Sequence, residues 1–153
     1  MSALTDVLAS TPQELARLVQ RGGEEALDTE PDGEWSIRTT LAHLRDEEGL
    51  VFRLRLERML SEAEPEFLPF PPERWLETRK RDRDDTRTVL QDFALQRKAS
   101  VNLLERIRPE DWERSGKHPR GTTHTVASWV EYWVSHDREH LGAIEQNLES
   151  LSK

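Results

Sequence analysis

Cysteine is absent from the 153 residues of this sequence. Its absence excludes disulfide bonds, thiolate metal ligands and a cysteine nucleophile, so any metal site has to be built from histidine, aspartate or glutamate. Long hydrophobic runs are absent as well, and the N-terminal segment MSALTDVLAS lacks the positive charge that opens a signal peptide. We therefore expect a soluble, cytoplasmic protein without a membrane partner.

Positive charge is scarce relative to negative charge. The formal net charge is −8, which makes nucleic acid and anionic membranes unexpected partners. Apolar residues make up 35% of the chain and charged residues 34%, a balance typical of amphipathic helices whose outer faces are solvated. At this length the chain is most simply one domain, residues 1–153, with enough material for a buried core.

Two helices are predicted in the first half of the chain. Thr11–Glu14 is a capping box with proline at the first helical position, which opens or restarts the first helix. The glycine pair Gly22–Gly23 should weaken or end that helix. Ser36 is a good N-cap for a second helix, which we predict to run to about Glu62.

Two further helices are predicted in the second half. The segment Glu64–Pro72 contains four prolines and forms a long connection, because proline is excluded from helix interiors. A third helix runs from Asp84 or Asp85, as its N-cap, to Ile107, and the last helix is Thr125–Leu151. No strand-period run lies between the helices, so we predict an all-α bundle. The long connection between the second and third helices leaves room for a crossover.

Two histidines lie on the inner side of the last helix. His136 and His140 continue a stripe that begins with Trp129 and Trp133, with steps of three or four residues. Four residues at about 1.5 Å rise each place the two rings about 6 Å apart on successive turns, so both can reach one cation. The alternative is a pair of hydrogen-bonded or half-exposed histidines.

A third histidine, His43, is predicted to point inward from the second helix. At about 100° per residue it lies within about 20° of Leu50 and Leu54, at the edge of the apolar arc. It is either a structural hydrogen-bonding group or a ligand. Glu47 follows one turn later beside it, and it lies either near a site or on a solvated helix surface.

Three other polar side chains have alternative interpretations. Arg97 interrupts the apolar stripe of the third helix, and it either snorkels to solvent or binds an anion in a pocket. His118 lies in the segment Ser115–Thr123, which is loop by composition, and His124 directly precedes the last helix. Both histidines are expected to be exposed rather than ligating.

Two known metal-site patterns fit poorly. The segment His136–His140 is superficially similar to the HExxH motif of zinc proteases, but the general-base glutamate is replaced by Asp137 and no later histidine, aspartate or cysteine follows. A ferritin-like di-iron site needs two ExxH repeats, and the sequence contains none. We therefore set both classes aside.

Two motifs in order carry a family resemblance. WSIRTTLAHLRDEE at Trp35–Glu48 and HPRGTTHTVASWVEYWVSHDREHLGAI at His118–Ile144, separated by the proline-rich connection, resemble the DinB-like superfamily, which includes YfiT-like proteins. The resemblance covers essentially the whole chain. It implies a four-helix bundle of DinB/YfiT type with a long crossover between helices 2 and 3. It also implies that His43, His136 and His140 bind one divalent metal ion.

The resemblance also suggests a function. Characterised relatives include S-transferases that use bacillithiol or mycothiol, and maleylpyruvate isomerase. We therefore expect a metal-dependent transferase that activates a low-molecular-weight thiol for attack on a small electrophile, in stress response or detoxification. The alternatives are a stress-inducible metal-binding protein without turnover and a metal-dependent hydrolase. The resemblance further implies a homodimer.

Each expected group has a role in this hypothesis. Three neutral imidazoles leave positions open on zinc for water or substrate, and nickel also suits imidazole ligands. Glu47 is the expected carboxylate at the site, where it either orients His43 or accepts a proton. Arg97, or alternatively a residue near Trp75, is the expected binding group for the anionic part of the thiol cofactor.

Overall fold

Helices build most of the protein, whose computed structural model describes residues 2–31, 33–78 and 85–151. In chain order the elements are α1 (Ser2–Leu27), α2 (Ile37–Glu47), a π-helical segment (Glu48–Arg53), α3 (Leu54–Ser61), α4 (Pro72–Thr78), α5 (Thr86–Leu104), a 3-10 helix (Pro109–Glu113), β1 (Ser115–Lys117), β2 (Thr123–Thr125) and α6 (Val126–Leu151). The helices α1 and α2 each pack against both α5 and α6. The predicted all-α bundle is confirmed.

The first helix differs from the prediction at its start. α1 begins at Ser2 and continues through Pro12, so the capping box lies inside the helix. The Thr11 hydroxyl donates instead to Asp137 Oδ2 on α6, at 2.8 Å. Gly23 has φ 67° and ψ 177°, which lie outside the helical region and are accessible to glycine. The helix therefore kinks at the glycine pair that was predicted to weaken it.

The second predicted helix is one continuous helix composed of α2, the π-helical segment and α3. The Ser36 hydroxyl oxygen caps its start by accepting a hydrogen bond from the Thr39 amide at 3.2 Å. Its end at Ser61 is one residue from the predicted end at Glu62. Both the cap and the length of this helix were therefore predictable from the sequence.

The π-helical segment changes which face of this helix is buried. Each of its turns contains more residues than an α-helical turn, so the residues that follow are rotated about the helix axis. His43 is buried as predicted, but Leu50 and Leu54 are 45% and 47% exposed. The use of Leu50 and Leu54 to place His43 inward is therefore wrong, because it assumed a regular α-helix through Glu48–Arg53, although Val51 of the predicted buried face is buried.

The third predicted helix is α5. Asp85 is its N-cap, and the Asp85 carboxylate accepts a hydrogen bond from the Thr88 amide at 2.9 Å. The alternative cap, Asp84, lies outside the described residues. The helix ends at Leu104, three residues before the predicted Ile107. The connection that leads toward α5 contains the short helix α4, which begins at the last proline of the proline-rich segment.

A small antiparallel sheet replaces part of the predicted loop. β1 and β2 pair with Ser115 opposite Thr125. The loop prediction was wrong because strands of three residues are too short to show an alternating pattern. β1 also holds the proline-rich connection, since the Phe67 amide donates to the Lys117 carbonyl at 2.9 Å. A side chain at Gly116 would collide with the Phe67 ring, so the close approach requires glycine.

The core consists of two apolar clusters. One surrounds Trp129 and Trp133 of α6 and Phe52 of the π-helical segment, and the other joins α1, α2, α5 and the end of α6. Within the described ranges, no helix combines the length and apolar character needed to cross a membrane. Both tryptophans of the predicted α6 stripe are fully buried, as their spacing indicated.

A buried ion cluster connects the four long helices. Arg97 on α5 is 1% exposed, and its guanidinium donates to Asp137 Oδ2 at 2.6 Å and to Glu48 Oε2 at 2.8 Å. It also donates to the Leu8 carbonyl of α1 at 2.8 Å, while Trp133 Nε1 donates to Glu48 Oε2 at 3.2 Å. The interpretation of Arg97 as a snorkelling side chain is therefore wrong, because buried carboxylates hold its charge inside.

We predict that Arg97→Ala lowers the free energy of unfolding by about 3–5 kcal/mol, since it leaves the carboxylates of Glu48 and Asp137 buried without a counter-charge. Urea denaturation at neutral pH measures the loss. Arg108→Ala is the matched control, because Arg108 is exposed and its ion pairs with Glu110 and Asp111 lie at the surface. A loss in Arg97→Ala no larger than that of the control would contradict the prediction.

Candidate metal centre

The rings of His43, His136 and His140 meet inside the bundle. His136 Nε2 lies 3.2 Å from His43 Nε2 and 3.2 Å from His140 Nε2, and the candidate ligand atoms of all three lie within 4.8 Å of one another. Two nitrogens bound to one zinc ion at about 2.0–2.1 Å each lie about 2.8–3.4 Å apart for angles of about 90–110°. The observed separations therefore fit ligands that share one cation.

Glu47 adds a carboxylate oxygen at the same point. Its Oε2 lies 3.1 Å from His136 Nε2 and 3.7 Å from His43 Nε2, and its side chain is 13% exposed. Of the two positions considered for Glu47, the structure shows the one near the histidines and not the solvated surface. His136 Nε2 thus faces two nitrogens and one carboxylate oxygen, but a single N–H donates only one good hydrogen bond. A divalent cation suits this donor set better than a proton does.

The protonation states of the three histidines differ. Burial lowers the pKa of His136, but the carboxylates of Asp137 and Glu47 outweigh burial and raise this pKa to about 9. Burial, together with the positive charges of His136 and His43, lowers the pKa of His140 to about 3. Burial also lowers the pKa of His43. Without a metal, His136 is therefore protonated at neutral pH, whereas His43 and His140 are neutral.

The residues next to the histidine rings on the side away from the candidate metal site are Asp137 and Trp35. His136 Nδ1 is buried and has no hydrogen-bond partner in the described part of the chain, and the nearest carboxylate oxygen is Asp137 Oδ1 at 3.9 Å. The Trp35 ring lies parallel to the His140 ring, with centroids 6.2 Å apart, and meets the His43 ring edge-on at 4.9 Å. The contacts with Trp35 limit rotation of the His43 and His140 rings, whereas no hydrogen bond holds the His136 ring at Nδ1.

The π-helical segment aligns further side chains with His43. On a regular α-helix, His43 and Arg55, twelve positions apart, would lie about 120° apart around the axis. The wider turns of Glu48–Arg53 remove much of this difference. His43, Glu47, Val51 and Arg55 accordingly all line one cavity. A local change in helix geometry thus extends the site along the helix.

The histidines lie in the wall of a cavity of about 550 Å3. Its other walls are the prolines of the segment Pro69–Pro72, the β1–β2 loop at His118–Arg120, and the side chains of Phe52, Arg55 and Tyr132. This volume lies in the range of small-molecule sites, which is about 300–1,000 Å3. The proline-rich connection, held in place by β1, therefore covers the site rather than only joining two helices.

The structure separates Arg97 from this cavity. Its guanidinium is occupied by Glu48 and Asp137, and Arg97 does not line the cavity. The expectation that Arg97 binds an anionic cofactor group is therefore corrected: its anions are carboxylates of the protein itself. His118 and His124 are partly buried rather than exposed, and they lie outside the cluster of three histidines.

Some residues of the site were not predicted from the sequence. Arg55 and Phe52 line the cavity, and Trp35 packs behind two of the histidines. Trp35 had a signal, because it precedes the N-cap Ser36 within the motif that carries the family resemblance. Arg55 and Phe52 had none, since their positions depend on the π-helical segment.

The family of the chain follows from a direct comparison. The family model described as the DinB superfamily matches residues 8–144. The chain belongs to this superfamily. The match includes His43, His136 and His140, and the resemblance inferred from the two motifs is confirmed.

Two bacterial proteins have sequences similar to that of this chain. A protein of Bacillus mycoides is 28% identical over 143 residues, which cover 92% of this chain and 81% of the relative. A protein of Oceanobacillus iheyensis is 26% identical over 145 residues, with 87% and 77% covered. Both are named, provisionally, as metal-dependent hydrolases.

A solved structure has the same fold. YfiT from Bacillus subtilis, described as a probable metal-dependent hydrolase with an unusual four-helix bundle topology, matches with a TM-score of 0.92. The match covers 99% of this chain and 87% of YfiT at 22% sequence identity. The four-helix bundle of DinB/YfiT type predicted from the sequence is therefore confirmed.

We predict that binding of a divalent metal at pH 7 releases about one proton, because a ligating histidine must be neutral and, of the three, only His136 has a raised pKa. The release should fall toward zero as the pH rises through about 9, the pKa of His136. Calorimetric titration with zinc in buffers of different ionisation enthalpy measures it. Binding without proton release at pH 7 would show that His136 is already neutral.

Proposed function

We propose that this protein is a divalent-metal-dependent hydrolase that acts on a small molecule. The observation that carries the proposal is the meeting of three imidazole nitrogens and the Glu47 carboxylate in the wall of an open cavity. Such a combination of metal ligands, a general base and a substrate-sized space is the usual composition of a metal-assisted hydrolytic site. The provisional names of the relatives support the same class.

His43, His136 and His140 would hold the metal. Imidazole nitrogen suits both zinc and nickel, and one ion per chain is expected from a single group of three ligands. A divalent ion at this point supplies Lewis acidity, which polarises a substrate carbonyl and lowers the pKa of water or of a thiol. Asp137 supports the set by facing His136 Nδ1, the nitrogen that carries the proton when Nε2 is a ligand.

Glu47 would act as the general base. In the metal-free protein, burial raises the pKa of Glu47, but the hydrogen bond from His136 and the nearby positive charge outweigh burial and lower it, so the carboxylate is ionised at neutral pH. A bound divalent cation would take the place of the proton on His136 Nε2 and would also favour the ionised carboxylate. Glu47 accepts a proton from the attacking water as the water oxygen bonds to the electrophilic carbon. When the bond to the leaving group breaks with its electron pair, Glu47 returns the proton to the leaving atom.

A thiol S-transferase is the second candidate. The cavity of about 550 Å3 has room for a low-molecular-weight thiol beside a small electrophile, which favours this reading. The same Glu47 carboxylate would then accept the thiol proton as the thiol sulfur bonds to the electrophilic carbon, and it would return that proton to the leaving atom as the bond to the leaving group breaks with its electron pair. We favour hydrolysis over thiol transfer because hydrolysis needs no cofactor besides the metal. The homodimer and the cytoplasmic location stay predictions.

We predict that His43→Ala, His136→Ala and His140→Ala each reduce bound zinc from about one ion per chain to nearly none, because two remaining imidazoles bind a divalent ion weakly. Elemental analysis of untagged protein after zinc loading and desalting measures the content. His118→Ala and His124→Ala are matched controls that should keep the metal. Full metal content in any of the first three variants would remove that residue from the ligand set.

We predict that Glu47→Gln lowers the zinc-dependent turnover of p-nitrophenyl acetate by about 10²–10⁴-fold while zinc content is retained, because the amide cannot accept the proton. Release of p-nitrophenol reports the rate. Glu57→Gln, on the exposed side of the same continuous helix, is the control. Equal rates in wild type and Glu47→Gln would exclude Glu47 as the base.

The same assay separates the two candidate functions. With added N-acetylcysteine, whose blocked amine prevents acyl migration, mass spectrometry shows acetate for a hydrolase and N,S-diacetylcysteine above the enzyme-free rate for a transferase. A metal that only ties α2 to α6 would raise the melting temperature with no turnover in either case.

A further inference from the structure

Arg55 on α3 is a buried cation without a buried counter-charge. The residue is 7% exposed, its Nη2 donates to the Leu68 carbonyl at 2.9 Å, and its guanidinium lies over the rings of Phe67 and Trp129 at 5.3 and 5.5 Å. Within the part of the chain that the structure describes, no carboxylate oxygen lies within 4.0 Å of it, and neither Nε nor Nη1 has a hydrogen-bond partner. Two donor groups of a buried guanidinium are thus available.

The contrast with Arg97 shows how unusual this arrangement is. Arg97 is even less accessible, but Glu48 and Asp137 contact it directly and raise its pKa despite burial. Burial lowers the pKa of Arg55, and the charge of Glu47 compensates only in part. A buried charge without a partner destabilises a folded protein, so such a group is expected where a ligand supplies the partner.

Arg55 lies in the wall of the cavity that contains the histidines, and it also borders a second cavity. Arg55 lines the first cavity together with His43 and Glu47 of the same continuous helix, and the aromatic side chains of Phe52 and Phe70 lie in its walls. The cavity therefore combines a reactive region, apolar walls and one buried cation. A ligand that matches all three has an electrophilic group, an apolar body and an anionic end.

We propose that Arg55 binds the anionic group of the substrate, and that the substrate is a small organic monoanion such as a carboxylate. The assignment of this anion as a substrate rests on the proposed hydrolase function. The planar guanidinium fork matches the geometry of a carboxylate, and one unpaired buried cation balances one negative charge. A dianion such as a phosphate monoester fits less well, because the other arginine of the cavity, Arg120, is exposed and Glu47 and Glu139 also line the cavity.

Binding of three probes tests the proposal: 3-phenylpropanoate, its neutral amide 3-phenylpropanamide, and phenyl phosphate. Calorimetry on zinc-loaded and metal-free protein should give the tightest binding for the carboxylate in both forms. Arg55→Gln keeps a donor for the Leu68 carbonyl but removes the charge, so carboxylate binding should weaken about tenfold or more and its advantage over the amide should disappear.

Arg53→Gln is the matched control. It removes the same charge from the same continuous helix, but Arg53 contacts the Gln96 carbonyl and Glu57 instead of the cavity. It should bind all three probes as wild type does. If Arg55→Gln does not fold, Arg55→Met provides the same comparison with an apolar side chain of similar length.

Three results would overturn the proposal. The first is a preference for the carboxylate that persists in the Arg55 variants or is missing from wild type. The second is a preference that disappears when zinc is removed, which would place the carboxylate on the metal. The third is tighter binding of phenyl phosphate than of the carboxylate, which would indicate a dianionic substrate instead of a monoanionic one. The metal-free measurements remain informative if the protein binds no zinc, so failure of the metal assignment and failure of this proposal are distinguishable.

Discussion

The buried contact of Arg97 with Glu48 and Asp137 is the interaction on which the site depends. Glu48 follows Glu47, and Asp137 follows His136, so each carboxylate is covalently next to a residue of the candidate metal centre. Consecutive residues on a helix point about 100° apart, and one residue of each pair therefore faces Arg97 while the other faces the histidines. Fixing the carboxylates around one guanidinium fixes the relative rotation of the helices that carry the three histidines.

This cluster has a physical cost that an apolar core would avoid. Buried ion pairs often contribute little net stability, because the loss of hydration offsets their attraction. The advantage here is geometric: Arg97 reaches α1, the π-helical segment and α6 from α5, and its fork accepts few other arrangements of those partners. An apolar core would tolerate small rotations that separate the Nε2 atoms. The cluster thus contributes specificity where the site needs it.

Spacing along the sequence predicted the parts of the structure that depend on local geometry. The four-residue step between His136 and His140, and the cap at Ser36, needed no knowledge of tertiary contacts. His43 was placed inward correctly but for a reason that fails after Glu47, since the π-helical segment has no recognised residue signature. Arg97 was misjudged because an arginine in an apolar stripe snorkels or pairs according to carboxylates on other helices, which one helix cannot reveal.

The charge distribution explains how an acidic protein can accommodate an anion. The net charge of −8 opposes an anionic ligand only weakly at physiological salt, because exposed charges are screened beyond about 8 Å. Inside the cavity screening is weaker, and the nearest charges dominate. If the proposed divalent ion binds among the three neutral imidazoles, it would join Arg55 in offsetting the negative charges of Glu47 and Glu139. Surface charges therefore have little effect inside the cavity. The charges that line the cavity determine which ligand charge it accepts.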